Sequence, residues 1–93
     1  MNNPRFKSRF GMVGDEVMRD PEVSLRAKGL YSYLSIFSDK TTNELFVGIT
    51  KMAAETGLSH STIKRLLEEL QEKRIIYRYS KGKGLTKVTV LLK

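Results

Sequence analysis

The stretch ITKMAAETGLSHSTIKRLLEELQEK, residues 49–73, carries the clearest structural signal in the chain. Met52 and Ala53 fall at helical spacing before Gly57, a residue that favours the left-handed conformation at a helix end. Ser59 then suits the N-cap of a second helix. The spacing therefore predicts two helices joined by a tight turn. The second helix carries one apolar stripe, formed by Ile63, Leu66, Leu67 and Leu70.

The spacing around Gly57 is that of a helix-turn-helix. This motif needs a small residue where the two helices nearly touch, and Ala53 lies four positions before the turn glycine. Apolar residues must also lie one, six and nine positions after the glycine, so that the second helix packs across the first. Leu58, Ile63 and Leu66 occupy these positions. Two packed helices of an ordinary bundle are the alternative interpretation.

The preceding segment is expected to form one long helix and two short elements. Ser24 can cap a helix that runs to about Ser38, and Gly29 within it suggests that another backbone packs closely there. Pro21 is placed to open a short helical turn, and residues 45–47 form a very short strand. The expected buried face of the long helix consists of Ala27, Leu30, Tyr31, Leu34 and Phe37.

After residue 74 the pattern changes to that of β-strands. Residues 75–79 are rich in β-branched and aromatic side chains, KGKG at 81–84 is a glycine-containing turn, and 85–92 suits a second strand. We therefore predict a single α+β domain over residues 1–93, a winged helix-turn-helix. It has three helices, a short extra strand, a C-terminal β-hairpin wing over 75–92, and a basic arm at its N-terminus, residues 1–10. Residues 5–13 suit an extended arm or an edge strand.

Positive charge is concentrated at the two ends of the chain. The formal net charge is +7, yet residues 11–72 hold seven basic and ten acidic side chains. Residues 1–10 and 73–93 contain no acidic residue. Segregated charge creates a directional field that a polyanion can use. Two solvated basic tails are the alternative interpretation.

Burial of the apolar stripe would leave the opposite face of the second helix available to a ligand. Recognition helices place their N-terminal residues against base edges in the major groove of double-stranded DNA. We expect His60, Ser61 and Lys64 to face bases, and Ser59 and Arg65 to bind phosphates; for each, an ordinary solvated position is the alternative. The predicted contact set of this helix is Ser59, His60, Ser61, Thr62, Lys64 and Arg65.

Basic residues outside this helix are expected to add affinity more than specificity, and to make binding sensitive to salt. Lys51 would lie where the first helix of the motif crosses the DNA backbone. The wing would follow an adjacent groove, and the arm would enter a minor groove. The predicted contacts from wing and arm are Lys81, Lys83, Lys87, Arg5, Lys7 and Arg9.

The sequence gives little support to other classes of function. It has no cysteine, and His60 is its single histidine, so no metal site is expected. It contains no phosphate-cradling glycine loop, no nucleophile paired with a base, and no paired carboxylates, so we expect neither an enzyme nor a bound cofactor or small-molecule ligand. Its apolar runs are too short for a signal peptide or a membrane span. We expect a cytoplasmic protein.

Several segments resemble a known family. They are GMVGDEVMRDP at 11–21, LRAKGLY at 25–31 and YL at 33–34, together with LS at 58–59 and STI at 61–63. From about residue 10 to its end, the chain resembles the N-terminal winged-helix domain of many bacterial plasmid and phage replication proteins. It is also similar to stand-alone helix-turn-helix proteins of mobile elements.

This resemblance implies a role on mobile DNA: origin binding, transcriptional control or DNA transfer. In these relatives Gly14 is often proline, and Val47-Gly48 often reads Pro-Ser. One short helix reads few base pairs, so specific binding suggests a homodimer or repeated sites. A dimer would be held through the arm, the first helix or the wing, with the arm and the first helix favoured. A protein-docking module and a non-specific architectural DNA-binding protein are the competing hypotheses.

Overall fold

Four helices and a three-stranded antiparallel sheet make up the described part of the chain, residues 10–80 and 85–93 of a computed structural model. The strand order is β1-β3-β2, so β3 lies in the centre. The predicted α+β class is confirmed, and the arrangement is that of a winged helix-turn-helix. The elements are α1 (Asp15–Arg19), α2 (Leu25–Phe37), β1 (Glu44–Gly48), α3 (Ile49–Thr56), α4 (His60–Glu72), β2 (Ile76–Ser80) and β3 (Leu85–Val90).

The turn between α3 and α4 forms as the sequence predicts. Gly57 adopts the left-handed conformation, with a φ of 76°, and its N–H donates to the carbonyl of Ala53 at 3.0 Å. The Thr56 hydroxyl donates to the Met52 carbonyl at 2.6 Å and accepts from the Leu58 N–H at 3.3 Å. The Thr56 hydroxyl thus provides an acceptor for the Leu58 N–H, which lies in the turn beyond the end of α3.

The apolar stripe of α4 is buried in the centre of the core. Its four side chains are at most 3% exposed. They belong to one hydrophobic cluster with α2 on one side and the inner face of the sheet on the other. Burial of each such side chain stabilises the fold by about 1.5–3 kcal/mol. The stripe consists of Ile63, Leu66, Leu67 and Leu70, as predicted.

A Schellman motif at the end of α4 directs the chain into the hairpin. The Ile75 N–H donates to the Leu70 carbonyl at 2.9 Å, and the Arg74 N–H donates to the Gln71 carbonyl at 3.0 Å. Arg74 takes the left-handed position, with a φ of 59°. The Ile75 carbonyl then accepts from Leu91 N–H at 2.8 Å. The hairpin is therefore held at a fixed angle to α4.

Helix α2 is held to α4 and to both flanking segments by polar contacts. Ser24 caps α2 by accepting from the Ala27 N–H at 3.1 Å. The Glu69 carboxylate of α4 accepts from the Ser24 N–H at 2.9 Å and from the Ser24 hydroxyl at 3.0 Å. The buried Tyr31 hydroxyl accepts from the Gly14 N–H at 2.6 Å and donates to the Leu92 carbonyl at 2.8 Å.

Some sequence expectations about the region before α3 are wrong. Three helices were expected, but the short α1 is a fourth; it precedes Pro21, and residues 21–22 form only a turn. Of residues 5–13, expected as an extended arm or an edge strand, the described residues 10–13 contain no strand, so the edge-strand alternative does not hold there. Phe37, expected on the buried face, is 38% exposed because α2 ends at this residue.

The expected close approach of a backbone occurs at a different glycine. A Cβ added at Gly29 would meet nothing within 4 Å, because this residue lies on the exposed side of α2. A Cβ added at Gly11 would lie only 2.5 Å from the Ile36 Cα. The segment before α1 therefore packs directly on the α2 backbone.

Replacing these two glycines should change stability in opposite directions. Gly29→Ala should raise the free energy of unfolding by up to about 1 kcal/mol, because alanine is the better helix former. Gly11→Ala should lower it by about 1–3 kcal/mol, because the added methyl group collides with backbone. Urea unfolding monitored by circular dichroism measures both. Destabilisation by Gly29→Ala would contradict the open environment of that residue.

Ser59 should matter to stability through its cap on α4. Its hydroxyl oxygen accepts from the Thr62 N–H at 3.2 Å, so Ser59→Ala should cost about 1 kcal/mol in the free energy of unfolding. Ser59→Asp should retain most of this energy, because aspartate also caps helices. Ser61→Ala is the matched control, because the exposed Ser61 hydroxyl lies 3.4 Å from the Ser59 hydroxyl but is not the acceptor of the Thr62 N–H. Equal unfolding midpoints for Ser59→Ala and Ser61→Ala would disprove the cap.

Candidate nucleic-acid interface

A groove of about 550 Å³ lies between α4, the start of α3 and the hairpin strands. One wall is the exposed side of α4, and the opposite wall is formed by β2 and β3. Basic side chains and hydrogen-bonding groups dominate its lining, and none of the described residues that line it is acidic. Its polar and basic lining residues are Thr50, His60, Lys64, Gln71, Arg78, Ser80 and Thr86.

The predicted recognition face of α4 is exposed, as expected. His60 and Lys64 lie four residues apart and therefore on the same side of the helix, and both line the groove. Ser61 and Arg65 are also exposed. Because the apolar stripe is buried on the opposite side, the backbone of α4 cannot turn these side chains inward without exposing the core.

Arg78 is a residue of this groove that the sequence analysis did not select. It lies on β2 directly opposite Val88 of β3, and so on the same sheet face as the buried Ile76. The backbone N–H of Arg78 donates to the side-chain oxygen of Gln71 on α4 at 2.8 Å, and this bond joins the hairpin to the helix. The sequence did contain a signal for this position: Arg78 is two residues after the apolar Ile76, so strand alternation places both on the same face of the sheet.

Hydroxyl groups cluster at the N-terminus of α4. The Ser59 oxygen caps the helix and lies 2.9 Å from the Thr62 hydroxyl and 3.4 Å from the Ser61 hydroxyl. A phosphate contact at Ser59, as the sequence predicts, would share this oxygen with the cap. Thr62, also in the predicted contact set, is partly buried and lies at the edge of the exposed face.

Lys51 lies on a different surface from His60 and Lys64. It lines a second groove, of about 220 Å³, between α2, β1 and α3. In this groove the Tyr33 hydroxyl donates to the Glu55 carboxylate. Burial, with the hydrogen bond and the negative charge of Glu55, raises the pKa of Tyr33 to about 12. Tyr33 therefore remains a protonated donor, and an acidic residue stands close to Lys51.

Lys87 is directed away from the groove. Its ammonium group lies 3.0 Å from the Glu44 carboxylate and 6.0 Å from the centre of the Phe46 ring. Register pairs Lys87 with Phe46 on β1 and with Tyr79 on β2, which places it on the outer face of the sheet. The other predicted wing and arm contacts, Lys81, Lys83, Arg5, Lys7 and Arg9, lie outside the described residues.

None of the helices in residues 10–80 and 85–93 is long and apolar enough to cross a membrane.

Comparison with curated proteins found no match to the chain. The sequence profile of a family described as "Helix-turn-helix domain" matches residues 23–76, which extend from just before α2 to the first residue of β2. This match spans more than half of the chain and includes the whole α3–turn–α4 unit, and it supports DNA binding. The chain belongs to this helix-turn-helix domain family.

Proposed function

We propose that the chain binds double-stranded DNA, with α4 in the major groove and the hairpin against the neighbouring backbone. The observation that carries this proposal is the basic groove between α4 and the hairpin. It brings His60 and Lys64 together with Arg78, and within residues 10–80 and 85–93 no acidic side chain lines it. A protein-docking surface would need no such arrangement of cations beside a recognition helix.

The residues of the groove suit different parts of a DNA duplex. His60, Ser61 and Lys64 occupy the first turns of α4, the part of a recognition helix that reaches base edges. Arg78 stands on the strand beside them, where its planar guanidinium suits a backbone phosphate. The first turn of α3, with Thr50, also lines the groove, and helix N-termini attract phosphate.

The proposed biological role is a regulator, replication-initiation factor or DNA-transfer factor of a bacterial plasmid or phage, acting in the cytoplasm. The resemblance of residues 11–34 and 58–63 to mobile-element proteins supports this role. The domain acts by binding, without a catalytic centre or a cofactor. Because α4 reads few base pairs, the proposal includes a homodimer on half-sites about 34–36 Å apart.

Selection from a randomised duplex pool tests sequence-specific binding. The purified chain should enrich one motif, and fluorescence anisotropy should give an affinity for that duplex about 10³-fold or more above a scrambled one. Equal, salt-sensitive affinity for both duplexes would replace the proposal with an architectural role. A folded chain that binds neither duplex would make a protein-docking module the better account.

Substitutions in the groove should separate base contacts from phosphate contacts. Lys64→Gln should weaken binding to the selected duplex by about 5- to 100-fold and relax its sequence preference. Arg78→Gln should weaken binding to all duplexes alike and reduce the salt slope by about 1. Arg26→Gln removes one charge from the exposed side of α2 and is the matched control. A loss for Arg26→Gln equal to that for Lys64→Gln would contradict a localised interface.

A further inference from the structure

Two side-chain oxygens in and beside the groove between α4 and the hairpin already have partners inside the protein. The Gln71 oxygen accepts from the backbone N–H of Arg78 at 2.8 Å. The Ser59 oxygen caps α4 by accepting from the Thr62 N–H at 3.2 Å. An amino group of a base would have to compete with these backbone N–H groups for either oxygen.

The nitrogen-containing side chains of the groove are left as hydrogen-bond donors. The Lys64 ammonium and the Arg78 guanidinium only donate, and His60 carries at least one N–H whether neutral or protonated. With its oxygen held on β2, Gln71 is left with its NH2 group, which also only donates. None of the described residues that line the groove is acidic. The groove therefore suits a surface that presents acceptors.

Helix α4 places Lys64 where a base edge would lie. Positions 60, 64 and 71 fall within about 40° of one another around the helix axis, so their side chains form one line along the groove. Lys64 begins the second turn, about 6 Å beyond His60 along the axis, in the part of a recognition helix that reaches bases. Glu68, four residues after Lys64, is exposed but is not among the residues that line the groove.

Guanine is the base whose major-groove edge matches this arrangement. It presents two acceptors, N7 and O6, and a lysine can bond both. Adenine and cytosine each present an amino donor, which the Lys64 ammonium cannot accept. Glutamine reads adenine through both the oxygen and the NH2 of its amide, and the Gln71 oxygen is already held by Arg78. These groups therefore favour a G·C pair over an A·T pair.

We propose that Lys64 reads a guanine in the major groove, so that the duplex bound by this domain carries a G·C pair opposite the second turn of α4. This inference rests on the proposed duplex binding and adds to it the identity of one recognised base. Gln71 takes part as a positioning residue, because its bond to β2 keeps its own oxygen away from adenine.

The test uses the duplex enriched from the randomised pool, resynthesised with 7-deazaguanine at each guanine. This base pairs with cytosine in the ordinary way but lacks the N7 acceptor. Affinity measured by fluorescence anisotropy should fall by about fivefold or more. The same duplex with 7-deazaadenine at each adenine is the matched control, and its affinity should fall less. A loss with 7-deazaadenine and none with 7-deazaguanine would overturn the inference.

Lys64 provides the matched variants, and its exposed position means that neither substitution disturbs the core. Lys64→Arg keeps a side chain that only donates and should enrich the same guanine from the pool. Lys64→Gln supplies an acceptor together with a donor, and should prefer adenine to guanine at that one position by about fivefold. Continued selection of guanine there by folded Lys64→Gln would show that another residue reads the base.

The guanine assignment and duplex binding itself fail in different ways. An enriched motif without guanine, or one bound equally well with 7-deazaguanine, would overturn the assignment and leave sequence-specific duplex binding in place. A folded chain that enriches no motif would overturn both. A guanine-containing motif that loses affinity with 7-deazaguanine and changes to adenine with Lys64→Gln is the result expected.

Discussion

Burial of one side of α4 is the constraint on which the interface depends. Its apolar stripe packs between α2 and the inner face of the sheet. Rotating the helix about its axis would expose leucine and isoleucine side chains. Each exposed side chain would lower the free energy of unfolding by about 1.5–3 kcal/mol. The orientation of His60 and Lys64 toward solvent is therefore set by the core. The recognition face needs no other support to remain exposed.

Polar contacts then fix α4 along its length. The Ser59 cap holds its first turn, and the Glu69 carboxylate binds the N-terminus of α2. At its end the Schellman motif around Arg74 sets the direction of β2. Gln71 joins the helix to Arg78 on the adjacent strand. The two walls of the groove are thus parts of one connected framework, which suits a site that must match the fixed shape of DNA.

The helix-turn-helix could be predicted from the sequence because each of its parts has a local signal. Gly57, the Ser59 cap and the stripe of α4 depend on residues within a few positions of one another. The hairpin was also predictable, from its β-branched residues and its glycines. Helix α1 was missed because five residues are too few to show helical periodicity. The role expected for Gly29 belongs to Gly11, because backbone packing between distant segments has no local signal.

The site could be predicted only in part. The exposed side of α4 followed from periodicity, but the separate positions of Lys51 and Lys87 did not. Their charges favoured DNA contacts, whereas the fold places Lys87 beside Glu44 and Lys51 in another groove. Arg78 joined the site because β2 pairs with β3 and lies against α4, which are contacts between distant residues. Charge counted along a sequence cannot distinguish the faces of a sheet.

The most direct measurement is an NMR titration of the isotope-labelled chain with its selected duplex, following backbone amide shifts. If α4 and the hairpin bind the DNA, the largest shifts will fall at residues 49–50, 59–65 and 78–80, and the outer sheet residues Tyr77 and Thr89 will change little. Shifts concentrated on α2 or on the outer sheet face, with α4 unaffected, would contradict the interface described for this domain.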